Sequence, residues 1–171
     1  MNSKREPFWL RLETQSTEQR ANTMASMPDA DWEALCDGCG RCCLQKLEDA
    51  DSGDIYFTRI ACRLLDLQTC RCSDYNNRFS RVPDCTNVRP LDETKTGWLP
   101  QSCAYRCAAE GRRLEPWHPL VSGSAETVHQ AGVSVRDIAV SETGVNESDY
   151  PHYVIFLDPY ESESLEPEPC E

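Results

Sequence analysis

The stretch that decides the fold is Cys-Asp-Gly-Cys-Gly-Arg-Cys-Cys at residues 36–43. Four cysteines within eight residues have no packing rationale, whereas thiolates are ligands for zinc and for iron–sulfur clusters. Gly38 and Gly40 disfavour a regular helix and favour a tight loop that points backbone N–H groups at sulfur. The spacing therefore predicts a metal-binding loop. A thioredoxin-like redox C-x-x-C motif is the competing interpretation, but no buried strand pattern precedes Cys36.

More cysteines follow along the chain. The C-x-C pair at residues 70–72 places both side chains on one face if the chain is extended, which suits a shared site or a bridge between two metals. Cys103 and Cys107 are four residues apart on a predicted helix and share a face. Cys107 is interpreted as a small buried hydrophobic residue, and Cys170 as an exposed thiol. The sequence thus predicts more thiols than one tetrahedral ion needs.

Composition indicates that metal must help to hold the chain together. The chain has 171 residues and a net charge of -12, which allows one domain with terminal extensions. Leu, Ile, Val and Phe make up about 18 % of residues, a fraction usually seen in disordered proteins. The 11 cysteines can compensate for this small core, because metal ligation staples a chain that lacks apolar surface.

The sequence also predicts a compartment. No apolar run approaches the roughly 20 residues of a membrane-spanning helix, and no signal-peptide stretch follows the N-terminal residues 1–7. We therefore expect a cytoplasmic protein without a membrane partner. Disulfides are rare in the cytoplasm and an odd number of cysteines cannot pair completely, so the sulfurs are predicted to be metal ligands or reactive thiols.

Charge is distributed unevenly along the chain. Residues 141–171 contain nine acidic side chains and no Lys or Arg, whereas residues 36–113 contain 11 acidic and 12 basic side chains. The overall charge argues against nucleic acid as a partner, unless the acidic segment competes for a basic face of the cysteine region. The acidic segment alternatively fits a basic protein partner. The arginines near the cysteines are interpreted as hydrogen-bond donors to sulfur or as ordinary surface residues; they are Arg41, Arg63, Arg71 and Arg106.

The apolar pattern predicts a small, irregular α+β domain, stapled by metal, with short helices and a β-hairpin. Predicted helices cover residues 31–35, 74–79, 100–110 and 124–131, and predicted strands cover residues 43–48, 55–62, 133–135 and 153–157. The last of these strands is expected at a sheet edge because prolines flank it. The predicted organisation is a polar N-terminal arm at 1–28, a cysteine-cluster domain at 29–142 and an acidic, largely disordered tail at 143–171.

Several motifs carry a resemblance to a known family. They are C-D-G-C-G-R-C-C at 36–43, I-A-C-R-L-L-D at 60–66, T-C-R-C at 69–72, V-P-D-C at 82–85, C-A-Y-R at 103–106 and W-H-P-L at 117–120. Together they resemble the bacterial YcgN-like cysteine-cluster proteins, part of a wider group named for a zinc- or iron-chelating C-x-x-C-x-x-C-C domain. The resemblance covers residues 7–142. It implies a small cytoplasmic metal-binding protein of uncharacterised role.

The resemblance also selects the candidate ligands. Nine cysteines match the family pattern: Cys36, Cys39, Cys42, Cys43, Cys62, Cys70, Cys72, Cys85 and Cys103. Cys107, Cys170 and the acidic segment lie outside that pattern. The wider group includes a flagellin lysine methylase, so an enzymatic use of the cluster stays open.

The expected function is metal binding with zinc, iron or an iron–sulfur cluster as cofactor. Nine thiols suit two four-ligand sites with one spare, or one iron–sulfur cluster with a structural ion. The alternative is an iron–sulfur redox or electron-transfer protein that serves a partner enzyme. No catalytic arrangement is recognised, so catalytic residues are not assigned. His118 and His129 are weaker candidate ligands, and a structural role is the alternative for each.

Overall fold

The computed structural model describes residues 7–157. Within that part of the chain, residues 7–39 and 76–134 belong to one compact unit and residues 40–75 and 135–157 to another. Helices make up the regular structure of the first unit, and short strands most of that of the second. The predicted α+β class is confirmed. None of the helices in the described part is long and apolar enough to cross a bilayer.

The first unit is built from eight short helices. They are α1 (Phe8–Glu13), α2 (Thr17–Ala25), α3 (Asp29–Ala34), α4 (Arg78–Arg81), α5 (Glu93–Trp98), α6 (Ala104–Glu110), α7 (Pro119–Ser122) and α8 (Thr127–Gln130). Local signals define their ends. Ser16 begins α2 with a capping box that includes Gln19, and Gly111 ends α6 in the left-handed conformation. The core between them contains Leu12, Met24, Trp32, Leu35, Cys107 and Ala108.

The N-terminal segment differs from the expected loose arm. Residues 8–25 form α1 and α2, and Leu12, Met24 and Met27 are buried in the core of the first unit. Arg20 donates from Nε to the carbonyl of Ala109, 3.1 Å away, which ties α2 to the end of α6. The segment is polar on average because each short helix buries only one or two side chains. These few buried residues do not stand out in its composition.

The second unit is built from six short strands. They are β1 (Leu44–Glu48), β2 (Ile55–Ala61), β3 (Leu65–Asp66), β4 (Arg71–Cys72), β5 (Val140–Ser141) and β6 (Val154–Ile155). β1 and β2 form the predicted antiparallel hairpin. β2 also pairs with β5 in parallel and with β6 antiparallel, and β3 pairs with β4. The core of this unit contains Leu44, Phe57, Ala61, Leu65, Cys70 and Val135.

The hairpin turn explains why this stretch folds as expected. The Asp49 carboxylate accepts the backbone N–H groups of Asp51 and Ser52, at 2.9 and 2.8 Å. Gly53 then takes a positive φ of 76°, which glycine adopts without strain. The turn is therefore specified locally, and the flanking apolar residues pair as strands.

The segment predicted to be a tail contains regular structure. The 3-10 helix Glu147–Tyr153 and strand β6 lie in the region predicted to be a disordered tail. The pairs Phe57–Ile155 and Thr58–Val154 confirm the predicted edge strand. Cys170 and the remainder of the predicted tail lie outside the described residues.

Other predictions need correction. A strand at 133–135 is wrong, because the N–H groups of Val133 and Ser134 both donate to the carbonyl of Val128 and close the end of α8. The observed strand in this part of the chain is β5. The helix predicted from residue 100 begins at Ala104, and helix α5 was not predicted although Asp92 caps it by accepting the N–H of Lys95 at 2.8 Å.

Candidate metal centre

The β1–β2 hairpin brings Cys43 and Cys62 together. Leu44 pairs with Ala61 in the antiparallel register. Cys43, which precedes Leu44, therefore lies opposite Cys62, which follows Ala61. The N–H of Cys62 donates to the carbonyl of Cys43 at 2.9 Å. Cys42 and Cys43 end a 3-10 helix that follows Gly40, and the Cys43 N–H donates to the Gly40 carbonyl at 3.1 Å.

The β3–β4 hairpin adds Cys72 to this neighbourhood. Leu65 pairs with Cys72, and the N–H of Leu65 donates to the carbonyl of Cys62 at 2.9 Å. The N–H of Leu64 lies 3.5 Å from the Cys62 sulfur and donates to it. We call the side chains that this arrangement gathers the hairpin thiols; they are Cys42, Cys43, Cys62 and Cys72.

The hairpin thiols interact electrostatically. The pKa of the Cys43 thiol is raised by the hydrogen bond and charge of Cys42, and further by burial and by the charge of Cys62. Burial raises the pKa of Cys62, the Leu64 N–H opposes this, and Glu142 and Cys72 add to the increase. Several thiolates at this place repel one another, and a bound cation would relieve that repulsion.

Cys70 lies in the core of the second unit. It is buried with a φ of 55°, and its N–H donates to the carbonyl of Asp66 at 2.8 Å. A Cβ atom at Gly40 would lie 3.2 Å from the Cys70 Cβ and 2.7 Å from Cγ2 of Val135. Glycine is therefore required at position 40, both for the positive φ of 76° and for this close packing.

The other predicted ligands lie in the first unit; they are Cys36, Cys39, Cys85 and Cys103. The Cys36 N–H donates to the Glu33 carbonyl at 3.2 Å, at the end of α3. The buried Asp37 accepts the Cys39 N–H at 3.0 Å, so its carboxylate shapes the loop between the first two cysteines. Cys103 precedes α6 as its N-cap residue.

The ligand chemistry fits a thiophilic metal. Of the ten cysteines in the described part, Cys70 and Cys107 are buried, and the other eight are at least partly exposed. Among residues 7–157, no three His, Cys, Asp or Glu side chains stand close enough together to hold an ion in this conformation. The hairpin thiols are neighbouring soft donors on a fixed backbone. Rotation of their side chains would bring the sulfurs together around one ion. The nine-cysteine ligand set stays a prediction.

His118 has a structural role. Its side chain is 1% exposed, its Nε2 donates to the carbonyl of Leu35 at 2.9 Å, and its Nδ1 accepts the N–H of Leu120 at 3.0 Å. Both ring nitrogens are thus occupied, which leaves neither for a metal. His129 is hydrogen-bonded through Nδ1 to the hydroxyl of Ser134 at 2.8 Å.

Two of the arginines near the cysteines contact carboxylates. Arg106 donates to Glu110 at 2.9 Å and to the carbonyl of Leu99 at 2.8 Å, and Arg63 lies 3.3 Å from Glu142. Sequence reasoning missed Glu142 and counted it among the charges of the acidic tail. Its contact to Arg63 spans 79 residues, and no spacing in the sequence signals such a contact.

Comparison with known proteins is consistent with this chemistry. Residues 35–104 match the family model CxxCxxCC, described as "Putative zinc- or iron-chelating domain". A UPF0260 protein of Mesorhizobium japonicum is 53% identical over 155 residues, which span 90% of this chain and 98% of the relative. The chain belongs to the UPF0260 family. A UPF0260 protein of Ectopseudomonas mendocina is 50% identical over 156 residues, 91% of this chain and 98% of that relative.

The UPF0260 relatives named here are bacterial and match this chain along at least four fifths of their length. A further one, from Rhodopseudomonas palustris, is 53% identical over 137 residues, which span 80% of this chain and 81% of the relative. No solved structure matches the chain significantly. The resemblance to the C-x-x-C-x-x-C-C domain is confirmed, whereas the YcgN-like name is not tested by these relatives.

Proposed function

We propose that this UPF0260 protein is a cytoplasmic protein that binds zinc or iron through cysteine thiolates. The observation that carries the proposal is the hairpin register, which places Cys43 and Cys62 side by side with Cys42 and Cys72 next to them. Nothing in packing requires four thiols at one place, and thiolates are strong ligands for both metals.

In this proposal the hairpin thiols share one ion or one cluster. Four sulfur ligands satisfy a tetrahedral zinc or iron ion, or supply the ligands of an iron–sulfur cluster. The four predicted ligands of the first unit would serve a second centre; they are Cys36, Cys39, Cys85 and Cys103. Cys70, which is buried in the core of the second unit, is then the spare thiol. The backbone contributes by fixing the thiols, since the Cys62–Cys43 hydrogen bond joins the ends of β1 and β2, and the Leu65–Cys62 hydrogen bond closes the turn that follows.

The metal would also stabilise the fold. Each unit has a small core, and the core of the second unit contains six buried apolar residues. Structural zinc contributes roughly 10–16 kcal/mol to small zinc domains at neutral pH, which is comparable with the stability of a whole domain. We therefore expect metal binding and folding of the second unit to be coupled.

The second candidate function is iron–sulfur electron transfer to a partner enzyme. The hydrogen-bonded pair Cys42–Cys43 favours it, because adjacent ligands suit a multinuclear centre better than an isolated zinc ion. The acidic segment after residue 141 supports binding to a basic protein partner, since it carries nine carboxylates and no Lys or Arg.

The decisive experiment measures metal and acid-labile sulfide in the full chain purified without oxygen. Metal binding predicts stoichiometric zinc or iron. The metal held by the hairpin thiols should be lost in Cys43→Ser and Cys62→Ser, and retained in the matched control Cys107→Ala, whose thiol lies in the core of the first unit. A preparation free of both metals, which also fails to take up added zinc or ferrous iron, would overturn the proposal. A colourless protein with zinc and no sulfide would overturn only the electron-transfer candidate.

A further inference from the structure

Glu142 holds the chain immediately before Cys62. This residue follows β5, and its backbone N–H donates to the carbonyl of Ala61 at 2.8 Å. The bond continues the parallel pairing of β5 with β2, in which Ser141 lies opposite Ala61. The position of the Glu142 backbone is therefore set by the central strand β2, which ends at Ala61, the residue before Cys62.

The Glu142 side chain holds the chain immediately after Cys62. One carboxylate oxygen, Oε1, accepts the backbone N–H of Arg63 at 2.9 Å and its guanidinium at 3.3 Å. The other, Oε2, accepts the Nε2 group of Gln45 at 2.6 Å, and Gln45 lies on β1 one residue from Leu44. Glu142 thus forms hydrogen bonds to the residues on both sides of Cys62 and to the strand that follows Cys43.

These contacts are stronger than ordinary surface contacts. The Glu142 side chain is 14% exposed, so its charge is largely removed from water. A carboxylate in that position requires donors, and charge-assisted hydrogen bonds to N–H groups are shorter and stronger than neutral ones. The three N–H donors supply such hydrogen bonds. These bonds fix the position of the Glu142 carboxylate as well as that of the chain around Cys62.

We infer that Glu142 is a positioning residue of the metal centre, which orients the Cys62 sulfur towards the other hairpin thiols and so raises metal affinity. The inference rests on the proposed function. Groups that orient metal ligands through hydrogen bonds typically change metal affinity about 10- to 100-fold when they are removed. Glu142 lies beyond residue 104, where the match to the chelating-domain model ends, and that match assigns it no role.

The test compares cobalt binding by the full chain and its variants, with Co²⁺ as a spectroscopic probe of thiolate ligation. Glu142→Ala removes all three side-chain hydrogen bonds, and we expect its Co²⁺ affinity to fall about 10- to 100-fold with a changed sulfur-to-cobalt charge-transfer band. Glu142→Gln keeps an acceptor for the Arg63 N–H and should lose less affinity. The matched control Glu48→Gln changes an exposed carboxylate at the end of β1 and should bind Co²⁺ as the parent does.

The outcomes separate this inference from the proposed function. If the parent binds Co²⁺ through sulfur and both Glu142 variants keep its affinity and band, the inference is wrong and the proposed function stands. A lower melting temperature of the apo-protein with an unchanged band in the loaded protein shows a merely structural role, and also overturns the inference. A parent that binds no Co²⁺ overturns both. Should Glu142→Ala fail to fold, Glu142→Gln alone decides, because it preserves the shape of the side chain.

Discussion

The N–H of Cys62 donates to the carbonyl of Cys43, 2.9 Å away, at the end of the β1–β2 hairpin. The two residues are distant in sequence and become neighbours only through the register of that hairpin. A slip by one residue would turn every side chain of the shifted strand to the opposite face and separate the thiols. Features that set the register should therefore control metal binding.

Thr58 is the first such feature. The register of β1 and β2 shifts between Leu44 and Lys46, and there the buried Thr58 hydroxyl donates to the Gln45 carbonyl at 2.8 Å and accepts the Ile60 N–H at 3.2 Å. Thr58→Val keeps the shape but removes both bonds. We expect the free energy of unfolding in urea to fall by about 1–3 kcal/mol, the cost of a buried unsatisfied group.

A control variant separates the hydroxyl from the change of shape. Thr94→Val introduces the same change at an exposed position of α5 and should alter the free energy of unfolding by less than about 0.5 kcal/mol. Metal affinity should fall in Thr58→Val and stay constant in Thr94→Val. Equal urea curves for Thr58→Val and the parent would show that the hydroxyl does not hold the register.

Substitution of Gly40 tests the role of the turn that precedes Cys42 and Cys43. Gly40 and Gly53 both have a φ of 76°, but a Cβ atom at Gly53 would meet no atom within 4 Å, whereas at Gly40 it would lie 2.7 Å from Val135. Gly53→Ala should therefore cost about 1–2 kcal/mol for the left-handed conformation alone. Gly40→Ala should cost roughly a further 1–3 kcal/mol for overpacking.

The difference between these two alanine variants is the quantity to measure, by denaturant unfolding of the apo-protein. Because both glycines have the same positive φ, the subtraction cancels the left-handed penalty and leaves the crowding at Val135. We also expect Gly40→Ala to weaken metal binding, since Val135 or the turn must move. Equal stabilities for the two variants would contradict the close packing at Gly40.

Features that depend on local chemistry could be predicted from the sequence. The β1–β2 hairpin was predicted because Asp49 and Gly53 specify its turn, and the edge strand because prolines flank it. Helix α5 was missed although its capping Asp92 is visible, since Gly97 and the nearby Pro100 weaken the helical pattern. The alternation at Val133 and Val135 reflects two buried side chains on a turn and not a strand.

Long-range contacts set the limit of prediction for the candidate site. Residue type and the family resemblance named the cysteines, but spacing could not show that Cys43 is the neighbour of Cys62. Strand register decides that relationship, and a bulge in the hairpin changes the register. Glu142 was missed for the same reason, because its partners Gln45 and Arg63 lie far away in sequence.

Cys107 should react with alkylating agents much more slowly than the exposed Cys42. It has no exposed surface, lies in the core of the first unit, and burial raises its pKa to about 11. Only the thiolate reacts with iodoacetamide, so at pH 8 about one molecule in a thousand is reactive at this position even before access is considered. Mass spectrometry of the alkylated apo-protein should find the exposed Cys42 modified long before Cys107.

The pH dependence checks the cause. The alkylation rate of Cys107 should keep rising above pH 9, because the raised pKa moves thiolate formation to higher pH. In denaturant, Cys107 should react at the same rate as Cys42. Fast modification of native Cys107 at pH 8 would contradict its burial.

His118 should be needed for stability and dispensable for metal. His118→Asn keeps an oxygen that can accept the Leu120 N–H at the start of α7 but loses the bond to Leu35, so we expect a loss of about 1–3 kcal/mol in the free energy of unfolding. His118→Ala also loses the cap and leaves a cavity, and should lose roughly 3–5 kcal/mol. Both folded variants should retain the metal stoichiometry of the parent, measured by elemental analysis. A variant with unchanged stability and one metal equivalent fewer would show that His118 is a ligand. Substitution of a structural residue would lower the stability of the core, whereas substitution of a ligand can remove the metal alone.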